Sequence, residues 1–109
     1  MVKDDLAYLE HILDCIRKIK EFSEGLSFKE FSSSELVQDA VIRNIEIIGE
    51  ASKKISTDTK QVYFDVPWKE IAGMRDKLIH DYLGVDFEVV WRTIKEDVPM
   101  LEKHIRKLG

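Results

Sequence analysis

Apolar residues recur at helical spacing along most of this chain, and no stretch alternates in the manner of a half-buried strand. That pattern narrows the fold before any other consideration. Leu6, Leu9, Ile12, Leu13, Ile16 and Ile19 form one stripe, so a first helix is predicted from about Lys3 to Phe22. Asp4 and Asp5 put negative charge at its start, where the helix dipole favours it. Gly25 and the following Leu26-Ser27-Phe28 read as a connection. Ser32-Ser33-Ser34 offers N-cap candidates for a second helix over about Ser34 to Lys54. This second helix is apolar on more than one side. Leu36, Val37, Ala40, Val41, Ile47, Ile48, Ala51 and Ile55 make a broad face, and Ile42, Ile45 and Gly49 make another stripe. A helix of this kind is central in its own fold or buried against a second chain.

Residues 56–66 read as a loop. Asp65 before Pro67 then fits a helix start, and a third helix is expected over about Pro67 to His80 with Trp68, Ile71, Met74 and Leu78 inward. Asp86 can cap a fourth helix. Phe87, Val90, Trp91, Ile94, Val98, Leu101, Ile105 and Leu108 carry its period to the end, and Pro99 should kink or split it. The predicted fold is all-α, an antiparallel bundle of four or five helices. At 109 residues it forms one domain over 1–109.

Composition removes several function classes. No apolar run is long enough to span a membrane, and Met1-Val2-Lys3-Asp4-Asp5 does not open a signal peptide. The lone Cys15 fits the core of the first helix and a reducing cytoplasm. His11, His80 and His104 lie too far apart in sequence for a zinc cluster, and no cofactor is expected. His11 and His104 fall on charged helix faces. A net charge of -4 argues against a simple nucleic-acid binder, which usually carries a basic surplus.

The chemistry concentrates in Arg75-Asp76-Lys77-Leu78-Ile79-His80-Asp81-Tyr82. Arginine holds phosphate oxygens in a fork, and histidine exchanges protons near neutral pH. Those two roles suffice to cleave RNA without a metal. The neighbouring 2′-hydroxyl attacks, His80 handles its proton, and Arg75 stabilises charge on the crowded phosphate. On an ideal helix, Arg75 and His80 point about 140° apart, whereas Arg75 and Tyr82 nearly align. Either the helix ends before His80, its last turn is distorted, or the two residues meet across subunits. Arg43, Glu46 and Glu50 lie within one or two turns of each other on the second helix. They read as a surface or interfacial ion-pair group, or as part of a cleft.

Two blocks carry a family resemblance over nearly the whole chain. One is Arg43-Asn44-Ile45-Glu46-Ile47-Ile48-Gly49-Glu50-Ala51. The other runs from Pro67-Trp68-Lys69-Glu70-Ile71-Ala72-Gly73-Met74-Arg75 through His80 to Tyr82, followed by Gly84-Val85-Asp86 and Val90-Trp91. The chain resembles HepT-type toxins of the HEPN superfamily. The resemblance implies a homodimeric helical fold and an endoribonuclease toxin of a type VII-like toxin–antitoxin pair. Its implied partners are RNA and a minimal nucleotidyltransferase antitoxin of the MntA type. It further implies Arg75 and His80 as catalytic residues in a cleft shared by two chains, and Tyr82 as the acceptor of AMP. Asp76 stands beside them where the family often has Asn, and is a supporting cleft residue. The alternative is a non-catalytic nucleotide-binding or adaptor subunit of a nucleotidyltransferase complex, which Asp76 and the acidic balance favour.

Overall fold

The computed structural model describes residues 3–73 and 86–106, and every regular element among these residues is helical. The long helices are α1, Lys3–Ser23, and α3, Glu35–Lys54. They pair along their length, and Asp5 at the start of α1 meets Ser56 just past the end of α3, so the two run antiparallel. Between them lies a short helix, α2, Phe28–Ser32. A further short helix, α4, covers Thr57–Val62. Residues 68–73 are helical and are labelled α5. After the motif come α6, Phe87–Arg92, a π-helical turn, Thr93–Asp97, and α7, Val98–Arg106.

The core forms where the stripes of α1 and α3 meet. Leu9, Ile12, Cys15, Ile16 and Ile19 from α1 lie against Val41, Ile45, Ile48 and Ala51 from α3, and all are buried. Val90, Ile94, Val98, Leu101 and Ile105 close the core from the C-terminal side. Cys15 is a core residue as expected, and burial pushes its thiol above the usual range.

The breadth of α3 resolves into a single central role. Ile45 and Gly49, two members of its second stripe, are buried within this one chain, and Ile42 packs partly against the same core. The chain's own helices therefore account for that stripe, without a second copy. Leu36, assigned to the broad face, instead stands 82% exposed in the first turn of α3. The core contacts begin at Val37, and the first turn projects beyond them.

Two regions read as irregular contain helices. α2 lies in the stretch assigned to a connection and caps. Ser27 and Glu30 form a reciprocal cap that satisfies both end amides. Phe31 is fully buried against Phe87 and Trp91, with ring centroids 6.3 and 5.3 Å away. One buried aromatic and one cap hold a helix too short to show a period. Gly25, at φ 76°, makes the turn that leads into α2, a conformation that side-chain-bearing residues avoid. α4 lies in the stretch assigned to a loop. Ser56 caps it and Asp5 pins it. The Asp5 carboxylate accepts from the Ser56 amide at 2.9 Å and from the hydroxyls of Ser56 and Thr59. These donors hold the Asp5 carboxyl below its ordinary value.

The C-terminal helix is interrupted ahead of Pro99, not at it. Val98 donates its amide to the Thr93 carbonyl, five residues back. Proline lacks an amide hydrogen, and its ring crowds the carbonyl four residues earlier. The wider π turn relieves that crowding and lets α7 continue with Val98, Leu101 and Ile105 inward.

Candidate functional site

The sequence places the reactive chemistry at Arg75, Asp76, His80 and Tyr82, and all four lie outside the described residues. So do Met74 and Leu78 of the expected core stripe. The structure does define what leads into and out of that segment. On the entry side, Val66, Trp68 and Ile71 are buried. The Trp68 indole donates to the Tyr63 carbonyl at 3.0 Å, and the Ile71 amide donates to the Pro67 carbonyl at 3.0 Å. Residues 68–73 thus start a helix anchored on the core, as the Asp65–Pro67 signal suggested. On the exit side, Asp86 caps α6 by accepting from the amides of Glu88 and Val89, as expected. Val90 then inserts into the core. The twelve-residue segment is therefore tied to the bundle at both ends by buried apolar side chains.

A groove of about 470 Å³ runs between α5 and the C-terminal helices, lined by Pro67, Glu70, Ile71, Gly73, Val89, Asp97 and their neighbours. Ile71 and Asp97 also border a small void against Ile45 and Ile48 of α3. Asp97 lies on the π turn. Burial, and secondarily Glu96, pushes its carboxyl above the ordinary range, against the hydrogen bond from Thr93 and the charge of Arg92. A Cβ added at Gly73 would meet nothing within 4 Å, so packing among the described residues does not require glycine there.

A second cleft, of about 380 Å³, opens between α1 and α3. Arg43, Glu46 and Glu50, read from sequence as an ion-pair group or cleft residues, all line it. Tyr8 and His11 face them from α1, and Lys54 closes the far end. Arg43 and Glu46 form no ion pair with each other. His11, read as a bystander on a charged face, is part of this cleft. Lys54 continues the Arg43, Glu46, Glu50 spacing by one more turn, so sequence periodicity could have found it. Tyr8 could not be assigned that way, because only the pairing of α1 with α3 brings it there. His104 is half-buried on α7 and lines none of the three spaces.

Among the described residues no helix is long and apolar enough to cross a membrane. No solved structure matches the chain. A family model described as Ribonuclease HepT-like matches residues 12–108, and so spans both sequence blocks and the Arg75–Tyr82 motif. The chain is 50% identical over 101 residues to "Probable ribonuclease HepT" of Thermococcus cleftensis, covering 93% of this chain and 92% of that protein. It is 43% identical over 107 residues to "Putative RNase TTE0752" of Caldanaerobacter subterraneus subsp. tengcongensis, covering 98% and 96%. A longer protein of Methanocaldococcus jannaschii, "Gamma-glutamylcyclotransferase and putative RNase MJ0434", is 45% identical over 108 residues, which are 99% of this chain but 49% of that one. The match runs through nearly all of the chain and includes the motif and the described helices on either side of it, so this chain belongs to the ribonuclease HepT-like family of the HEPN superfamily.

Proposed function

We propose that this protein is an endoribonuclease and the toxin half of a toxin–antitoxin pair. The observation that carries the proposal is the family match over 12–108, which contains an intact Arg75-x4-His80-x-Tyr82. In this reading the substrate supplies its own nucleophile, the 2′-hydroxyl beside the scissile phosphate. His80 removes or returns the proton, and Arg75 holds the phosphate oxygens as charge builds. One histidine per chain serves poorly as both acid and base. Two chains facing each other across one cleft would supply two His80 and two Arg75, and would raise the local positive charge on an acidic protein. Asp76 stands next to Arg75 as a supporting residue of that cleft. The reaction needs no metal and leaves a cyclic phosphate and a free 5′-hydroxyl. A nucleotidyltransferase antitoxin silences the site by transferring AMP to Tyr82.

The test is cleavage of labelled single-stranded RNA by the purified chain, with and without EDTA. Wild type cleaves in both conditions. His80→Ala and Arg75→Ala each lose about 10²-fold or more, with unchanged circular dichroism. Activity unaltered in His80→Ala ends the assignment. The acidic balance and Asp76 favour a second reading, an adaptor subunit of a nucleotidyltransferase complex. RNA left intact by wild type, together with stable binding to such a partner, would select it.

A further inference from the structure

The residues that line the cleft between α1 and α3 are assigned no step in the chemistry above. Arg43, Glu46, Glu50 and Lys54 line it from α3, and Tyr8 and His11 line it from α1. The α3 residues follow one another at i, i+3, i+7 and i+11, on the side of the helix opposite the Ile45 and Ile48 core contacts. Arg43 and Lys54 are exposed and join no ion pair among the described residues. They are eleven positions apart, about 16 Å along the helix axis. Glu46 and Glu50 lie between them, Glu50 being engaged in an interaction of its own, and Tyr8, half-buried, offers an aromatic ring at the wall.

The other clefts lined by the described residues lack this combination. The cleft near the end of α1 has more cations, but they are engaged. Arg17 pairs with Asp14 and Glu21, Lys20 and Arg106 pair with Glu102, and Lys95 sits 4.6 Å from the Trp91 ring centroid. The groove beside α5 offers the carboxylates Glu70 and Asp97 and no cation among its described lining residues. Cations at both ends, an aromatic wall and a hydrogen-bond acceptor between them are the elements by which proteins hold single-stranded nucleic acid. The cleft volume is at the lower end of the range for small-ligand sites, room for one base, while phosphates of non-adjacent nucleotides reach the cations at its two ends.

We propose that this cleft is a binding subsite for single-stranded RNA, which rests on the endoribonuclease reading above. Arg43 and Lys54 each hold a backbone phosphate. A base between those phosphates stacks on Tyr8, and Glu46 accepts a hydrogen bond from its exocyclic amine. A carboxylate accepts well from the amines of cytosine and adenine. Uracil has no exocyclic amine and would present a carbonyl to the Glu46 carboxylate. The subsite therefore disfavours uracil.

The experiment measures fluorescence anisotropy of labelled oligo(A), oligo(C) and oligo(U) with the full chain carrying His80→Ala, which leaves the RNA uncut, over a salt series. Arg43→Gln and Lys54→Gln, both at exposed positions, should each weaken binding about tenfold. Each should also flatten the log–log salt slope by about 0.7, the signature of one lost phosphate contact on a single strand. Glu46→Gln should remove the discrimination against oligo(U) while overall affinity is retained. In the cleaving background, Arg43→Gln should raise KM and leave kcat unchanged. RNA bound with wild-type affinity and salt slope by both cation variants overturns the subsite and leaves the nuclease reading standing. A wild-type chain that neither binds nor cleaves RNA overturns both. A fall in sedimentation coefficient with Arg43→Gln would make this face a contact between two copies of the chain, which also overturns the subsite.

Discussion

Asp5 shows how a single residue ties distant segments together. It stands in the first turn of α1, where its charge suits the helix dipole, yet it is only 2% exposed. Its carboxylate accepts from Ser56 and Thr59, more than fifty residues away, and these bonds hold its pKa below the unfolded value. A depressed folded pKa stabilises the protein above the unfolded value near 3.8, and that contribution disappears as pH falls through the lower folded value. Asp5→Asn should therefore lower the urea midpoint at neutral pH, and the gap from wild type should narrow in acid below the unfolded value. A gap that is constant across pH would remove the role assigned to the Asp5 charge. At the motif, Tyr82 is expected to gain the mass of AMP when the chain is incubated with its nucleotidyltransferase and ATP, with Tyr82→Phe as control. An anion bound there would occupy the charge of Arg75 and block RNA. Added mass that persists in Tyr82→Phe places the modification elsewhere.

The elements divide by how their stability arises. α1 and α3 are long enough to bury a continuous stripe, and their boundaries follow from the sequence to within a residue or two. α2 and α4 are five and six residues long, too short for a period and too short to be stable alone. α2 exists because Phe31 enters the core beside Phe87 and Trp91, and because Ser27 and Glu30 cap its start. Phe31→Ala should cost about 3–5 kcal/mol in equilibrium unfolding, since its phenyl ring is fully buried and its loss leaves a cavity. A loss under about 1 kcal/mol would mean that α2 is not held by this side chain. The π turn belongs here too. The sequence marks Pro99 as a disruption, but its resolution one turn earlier depends on which turn can widen without moving Ile94 and Val98 out of the core.

For the whole molecule, the net charge of -4 and the proposed RNA chemistry are reconciled only if cations gather locally. The proposed shared dimer cleft would do this at the motif, and the cleft between α1 and α3 offers a second place. Sedimentation at micromolar concentration should show a dimer. A monomer at all concentrations would remove the shared cleft from the proposal. A dimer would have to form outside the Ile45–Gly49 side of α3, because that side is filled by the chain's own core. Amphipathic period determines helix identity, because a stripe must be buried whatever its partner, and so the sequence by itself determined the all-helical fold of the described residues, its two long helices, a serine cap within Ser32–Ser34 and the cap at Asp86. Residue chemistry pointed to Arg75 and His80 as a proposal, and the family resemblance added Tyr82. The period carries no information about which surface buries the stripe. Only the tertiary structure decided that the Ile45–Gly49 side of α3 is covered by its own chain, that a five-residue segment around Phe31 is helical, and that Tyr8, His11, Arg43 and Lys54 share one cleft. Each of those outcomes depends on contacts between residues far apart in the chain, and the local pattern does not record them.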